Sequence, residues 1–228
     1  ERAASKRGYI LMLCNSMNNM ELEEYHLQKM FEQRVDALIL MGGKVDELVS
    51  DRDYVEKMNQ TADSTPVVIT GKLDGSNCYK VNIDEAQAMD CLMEYLIGNG
   101  HRSICIMGGR KNVNSTHAKR IRYRSILRKY ELPFRSEYIV ETQGYGLESG
   151  YEAMNKMYAS KIELPSAIIA INDFTALGIM QSIRQHSHRI PEDISVVSFD
   201  NTFIADSCTP RLTGIGYNYD QFGDALVE

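Results

Sequence analysis

Polar side chains stand at several places where an apolar run of this sequence gives out. Asn172-Asp173 follows Ser166–Ile171, Asp200-Asn201 follows Ile194–Phe199, and Gln143-Gly144-Tyr145-Gly146 follows Glu137–Glu141. A polar loop from Arg110 to His117 follows Ser103–Met107, and Lys119 lies just beyond it. If these runs are parallel strands, the polar groups gather at one rim, where open α/β sheets hold their ligands. Tyr145 then offers a flat amphipathic ring on which a sugar or heterocycle stacks. Lys119 lies one turn before Tyr123 on the stripe Tyr123, Ile126, Leu127, Tyr130. A charge does not belong in the core, so Lys119 is expected to point out over the strand ends. The neighbouring Arg120, Arg122, Arg124, Arg128 and Lys129 read as solvated surface. Each candidate also has a plainer reading. Asn172 or Asp173 caps the next helix, Asp200-Asn201 makes an Asx turn, and Tyr145 is a loop residue.

The patterns of catalysis are absent. Gly42-Gly43-Lys44 fails the P-loop spacing, with Leu38 at the first glycine position and Val45 in place of Ser or Thr. Gly214-x-Gly216 has Tyr219 where a dinucleotide fingerprint needs its third glycine. There is no G-x-S-x-G and no H-E-x-x-H. His186 and His188 lack an acidic or cysteine partner at ligand spacing, and Glu23-Glu24 reads as a solvated helix face. The five cysteines, Cys14, Cys78, Cys91, Cys105 and Cys208, form no C-x-x-C and read as reduced, buried thiols of a cytoplasmic protein. No catalytic residue, metal or cofactor is expected, and the chain reads as a binding module rather than an enzyme.

The elements that would carry these residues alternate. Short apolar runs at Tyr9–Cys14, Asp36–Met41, Pro66–Thr70, Tyr79–Ile83, Ser103–Met107, Glu137–Glu141, Ser166–Ile171 and Ile194–Phe199 read as strands. Helical periodicity fills Met20–Gln33, Val45–Gln60, Glu85–Ile97, Thr116–Tyr130, Leu147–Ala159 and Phe174–His186. Strands apolar on both faces with helices between them imply parallel sheets covered on both sides. The fold class is therefore doubly wound α/β. With 228 residues, 43% of them hydrophobic, the chain can build a real core. Its 25 basic and 31 acidic residues give a formal charge of −6, which makes it a poor nucleic-acid binder by itself. Its apolar runs fall far short of the ~20 residues of a membrane helix, and no signal peptide is visible.

Taken in order, five segments carry a resemblance. They are Val35–Leu40, Gly100–Ile104 leading to Met107-Gly108-Gly109, Ala170–Gly178, Ile190–Asn201 and Thr209–Thr213. The series resembles the effector-binding core of LacI/GalR-type bacterial transcription regulators. The resemblance implies a periplasmic-binding-protein-like fold of two doubly wound, parallel-sheet lobes with a small effector, a sugar or sugar derivative, held in a cleft between them. It implies an N-terminal lobe over 1–107, a C-terminal lobe over 108–213 and a return segment over 214–228. Against that pattern the first strand and an upstream helix-turn-helix headpiece have no counterpart here. The implied partners are operator DNA, reached through that headpiece, and a second copy of the chain in a homodimer; no membrane is involved.

The resemblance also assigns roles. Asp200 matches an acidic residue that accepts hydrogen bonds from the effector, Asn172 matches a contact at the neighbouring strand end, and Tyr145 matches a stacking aromatic. Lys119 falls where the family usually has Arg, and lacks that residue's planar fork. Gly71 stands where the family often has Asp. Gly108 and Gly214 are candidate pivots, and Tyr9–Cys14 would be an edge strand covered by a twin subunit. The alternative is a solute-binding protein of a sugar transport system.

Overall fold

The computed structural model describes residues 1–17 and 19–228. They form two compact units, one of residues 1–83 with 218–228 and one of residues 84–217. The sequence had suggested a boundary after residue 107. The helix Glu85–Gly98 falls in the second unit, its apolar face packed onto that unit's sheet. Gly108 and Gly214, the expected pivots, accordingly lie inside the second unit.

In the first unit, α1 (Arg2–Lys6), α2 (Met20–Glu32), α3 (Arg52–Ala62) and α9 (Tyr219–Val227) accompany a parallel sheet of order β1 (Leu38–Met41), β2 (Val67–Thr70), β3 (Tyr79–Lys80). Leu38, Val67 and Ile69 pack with Leu27, Val45, Tyr54, Met58 and Leu73. The expected helix over 45–60 divides. Gly43–Asp46 is a 3-10 turn, and α3 starts only at Arg52, where the Asp51 side chain accepts from Tyr54 N at 2.9 Å. Such a cap satisfies one of the unpaired amides of a helix start. Tyr9–Cys14 is not a strand. Its peptide groups have no neighbouring ladder among the described residues, so it runs as irregular backbone with Ile10 93% and Leu13 86% exposed. Gly71, after β2, is explained by space. A Cβ there would overlap the Val45 carbonyl, to which Lys72 N donates at 2.8 Å.

The second unit is a five-stranded parallel sheet of order β5 (Ile139–Val140), β4 (Ile104–Met107), β6 (Ala167–Ala170), β7 (Ser195–Asp200), β8 (Thr213–Gly216). Alternate side chains of each strand enter opposite layers. Cys105, Met107, Ile168, Ala170 and Val196 meet α6 (Leu147–Ala159) and α7 (Asp173–Gln185) through Met154, Ala176, Ile179 and Ile183. Ile104, Ile106, Ile169, Val197 and Phe199 meet α4 (Glu85–Gly98) and α5 (Asn114–Lys129) through Leu92, Leu96, Tyr123 and Leu127. The doubly wound sandwich expected from the sequence is present. Strand β8 was not among the expected strands, and Gly214, a candidate pivot, lies within it. It pairs along β7, and a short helix α8 (Phe203–Ser207) connects the two.

Helices α4 and α5 run side by side in the same direction, joined by a ladder of ion pairs. Glu85 pairs with Lys119, Asp90 takes Arg122 on both carboxylate oxygens, and Glu94 pairs with Lys129. Three of the five cysteines, Cys78, Cys105 and Cys208, are buried free thiols as expected, whereas Cys14 and Cys91 are exposed. The reason for Cys91 is its place on the outer side of α4, whose inner stripe is Ala88, Leu92 and Leu96.

Candidate ligand-binding rim

Because every strand of the second sheet is parallel, all its carboxyl ends open at one edge. The connections that leave there carry the candidate residues, in two adjoining groups.

The first group stands over β4, β5 and β6. Asn172 is the N-cap of α7: its Oδ1 accepts from Thr175 N at 2.8 Å while its Nδ2 donates to the Tyr145 carbonyl at 3.0 Å. Capping, the plainer reading of Asn172, is therefore what its oxygen does, and its nitrogen holds the Tyr145 loop. Thr175 Oγ1 donates to the same carbonyl at 3.2 Å. At the other end of Tyr145 the phenol oxygen accepts from Arg110 N at 3.4 Å and shares a hydrogen bond with Thr116 Oγ1 at 3.3 Å. Both ends of the residue are fixed, and its ring is held half-buried beside the rim.

The second group stands over β7 and β8. Lys119 does not project into solvent; it is only 6% exposed. Its ammonium lies 2.5 Å from Glu85 Oε2 and 4.7 Å from the centre of the Phe199 ring. The expectation that a charge must leave the core fails because Glu85, in the first turn of α4, supplies the counter-charge and Phe199 a π face. Tyr217 adds a hydrogen bond to Glu85 at 3.2 Å. Asp200, the last residue of β7, adopts a left-handed φ of +88°, and Asn201 follows at +47°. Burial pushes the Asp200 carboxyl up to about 6; the charges of Asp173 and Glu85 push the same way, and Lys119 opposes them.

Between the groups lies Asp173, 1% exposed. Its Oδ1 accepts from Ser198 Oγ at 2.5 Å, and its Oδ2 from Thr202 N at 2.6 Å and Thr202 Oγ1 at 2.8 Å. The structure thus joins Tyr145 with Asn172 directly and sets Asp200 within the field of Lys119. Sequence reasoning missed Glu85 and the carboxylate role of Asp173. An acid in a helix first turn is an ordinary companion of the dipole, and an Asx pair after a strand reads as a cap.

Arg120 also departs from expectation. It is 5% exposed, and its guanidinium donates to the Gly108 and Gly109 carbonyls at 3.1 and 2.9 Å and to Glu141 Oε1 at 2.9 Å. It ties the carboxyl end of β4 to that of β5. Lysine cannot reproduce that fork, so Arg120→Lys should lower stability by about 1–2 kcal/mol, measured by urea denaturation. An unchanged midpoint would show that the clamp carries no weight.

Among the described residues no group of three or more His, Cys, Asp or Glu side chains is placed to hold a metal ion, and no helix is long and apolar enough to cross a membrane. His186 and His188 instead flank Tyr158, the first stacked at 3.8 Å and the second at 3.1 Å from the phenol oxygen. A solvent-open depression lined by Arg52, Glu56, Asn59 and Asn77 belongs to the first unit and contains none of the rim residues.

A family model described as a periplasmic binding protein-like domain matches residues 93–228. The chain belongs to this family. Similar proteins extend the match along its length. Catabolite control protein A of Priestia megaterium is 32% identical over 217 residues, 94% of this chain. The HTH-type transcriptional repressor PurR of Pasteurella multocida is 29% identical over 230 residues, 100% of this chain. The chain spans 63% and 66% of the length of these two relatives. The solved structure of the transcription regulator CcpA of Lactococcus lactis superposes with a TM-score of 0.81 at 26% identity, covering 99% of this chain and 80% of that one. PurR is named a transcriptional repressor and CcpA of Lactococcus lactis a transcription regulator, and the parallel-sheet α/β fold is shared with solved LacI-family regulators.

Proposed function

We propose that this chain is the effector-binding core of a LacI/GalR-type transcription regulator, in which a small hydroxylated solute, a sugar or sugar derivative, controls operator binding. The observation that carries the reading is the rim of the second unit, where Asp200, Asn172 and Tyr145 leave three strand ends, Asn172 holding the Tyr145 carbonyl and the adjoining Asp173 holding Thr202 just beyond Asp200. Asp200 accepts hydrogen bonds from the effector, the Tyr145 ring provides a stacking face, and Asn172 sets the loop that presents it. Lys119 serves from behind. Its partnership with Glu85 leaves it a field source for Asp200 rather than a clamp. The similarity to Catabolite control protein A and PurR favours this reading over a transport protein.

Operator DNA is met through a headpiece outside these residues, since a segment of charge −6 has little electrostatic affinity for phosphate. The regulator acts in the cytoplasm as a homodimer. The effector shifts an equilibrium between two states of differing operator affinity, with a coupling of ~1–3 kcal/mol.

The test is a thermal-shift panel of neutral sugars, sugar phosphates and purines on the intact protein, followed by operator titration with the hit. A neutral sugar should raise the melting temperature of the parent and not of Asp200→Ala, and should change operator affinity roughly 5–150-fold. Equal stabilisation of Asp200→Ala would remove Asp200 from the site. A hit that leaves operator affinity unchanged would remove the regulatory reading.

A further inference from the structure

One buried carboxylate touches both ends of the segment that carries Asp200. Ser198, still within β7, donates to Asp173 Oδ1, and Thr202, at the start of α8, donates from its amide and its hydroxyl to Asp173 Oδ2. Between those anchors lie Phe199, Asp200 and Asn201. The last two are consecutive non-glycine residues in left-handed backbone, at +88° and +47°. Such a pair persists only where the surroundings over-determine it. On the strand side, Asp200 stands opposite Gly216 in the ladder to β8. Thr202 Oγ1 also accepts from Ile204 N at 3.3 Å, and Asn201 lies over Gly214 and Gly216 of β8, where an added Cβ would approach it to 3.7 and 3.1 Å. The bonds that fix both ends of the turn at once are those to Asp173.

Asp173 adjoins Asn172, whose amide holds the Tyr145 loop. The first residues of α7 therefore reach two of the rim's connections with two neighbouring side chains. A carboxylate that only terminated a helix would bond the amides of its own first turn. Asn172 already does that for α7, leaving Asp173 free of that duty.

We propose that Asp173 is the positioning residue of the rim: by gripping Ser198 and Thr202 it imposes the left-handed turn that aims the Asp200 carboxylate. This assignment rests on the effector reading only for its consequence, the orientation of a ligand-contacting group; the turn itself needs no ligand.

The conservative variant is Asp173→Asn, whose oxygen still accepts from Thr202 and whose nitrogen donates to Ser198 Oγ. The disruptive variant is Asp173→Ala. Thr202→Val, which removes one hydroxyl bond and keeps the amide bond, covers the case in which the alanine variant does not fold. The readouts on the intact protein are hydrogen exchange of the Thr202 amide and the titration of the Asp200 carboxyl followed by carbon-13 NMR.

In Asp173→Ala the Thr202 amide should exchange at least about tenfold faster, and the Asp200 midpoint should fall from about 6 toward the ordinary carboxylate range as the side chain regains water. Thr202→Val should move both readouts partway, and Asp173→Asn should keep Thr202 protected. Unchanged Thr202 exchange and Asp200 titration in both Asp173→Ala and Thr202→Val would overturn the proposal. So would a loss of protection in Asp173→Ala shared equally by Ile179 and Ile183 deep in α7, which would mark a merely structural role. If the intact protein binds no effector at all, the effector reading fails while these readouts still decide the role of Asp173.

Discussion

Replacing Asp200 with asparagine should make the protein more stable at pH 7 and less able to bind its effector. The Asp200 carboxyl titrates near 6, well above its ordinary 3.8, with burial as the first cause. An acid whose folded-state value is raised binds its proton more tightly in the folded chain than in the unfolded one. Its cost to folding is absent below about pH 4, grows between about 4 and 6, and is complete above about 6. At pH 7 the difference of about two units corresponds to about 2–3 kcal/mol. Asparagine removes that cost, and it also accepts left-handed backbone more readily than most residues. Urea denaturation of parent and Asp200→Asn should therefore show a gap of about 2 kcal/mol at pH 7 that closes on acidification through 6 to 4. A gap that does not change with pH would deny that burial of the charge is its source. Effector affinity should fall roughly 10–100-fold, the worth of about one or two hydrogen bonds to a charged acceptor. Stability and binding would thus move in opposite directions at one side chain, as expected where a site holds a charge against its own solvation.

Gly178→Ala should be more damaging still. Helices α6 and α7 cross where each presents a glycine to the other's backbone. A Cβ on Gly178 would overlap the Leu147 carbonyl oxygen, and one on Gly150 would overlap the Thr175 carbonyl oxygen. Neither obstacle is a side chain that can turn aside. The helices would have to separate along a seam that also carries Met154, Ala176, Ile179 and Met180. Loss of more than about 3 kcal/mol is expected, at the upper end of overpacking costs. Because Thr175 and Leu147 flank the Tyr145 and Asn172 connections, the rim would be distorted with the seam. Circular dichroism and a melting curve read the outcome, and a variant melting within a degree or two of the parent would show that the helices are not locked at this point.

The elements of the second unit were readable because each is self-consistent. Ala88, Cys91, Leu92, Tyr95 and Leu96 recur at helical spacing, and Ala167–Ala170 is apolar on both faces; Ala88, Leu92, Leu96 and the strand enter the expected layers, while Cys91 and Tyr95 at the margin of the stripe are exposed. Failures occurred where a residue's state depends on a distant partner. Lys119 reads as exposed until Glu85, 34 positions earlier, is known to face it. Arg120 reads as surface until its acceptors prove to be the Gly108 and Gly109 carbonyls. Tyr9–Cys14 has the composition of a strand, but composition does not supply a neighbour to pair with. Thr213–Gly216 is too short and glycine-rich to stand out as an apolar run, yet the ladder along β7 makes it a strand. Asn172, Tyr145 and Asp200 were singled out by position, as polar residues following apolar runs, and the structure sets them on connections at the carboxyl edge of the second sheet. Asp173 was seen only as a second Asx beside a cap, because a carboxylate that staples two ends of another loop leaves no local pattern.

The three ion pairs between α4 and α5 are not equivalent. Both partners of Glu94–Lys129 are at least half exposed, those of Asp90–Arg122 are 29% and 39% exposed, and those of Glu85–Lys119 are 21% and 8%. Mobile counter-ions reach them in that order. Raising ionic strength should loosen this helix pair from the end remote from the strand tips, like a zip opened from below, while the last tooth beside Asp200 stays shut.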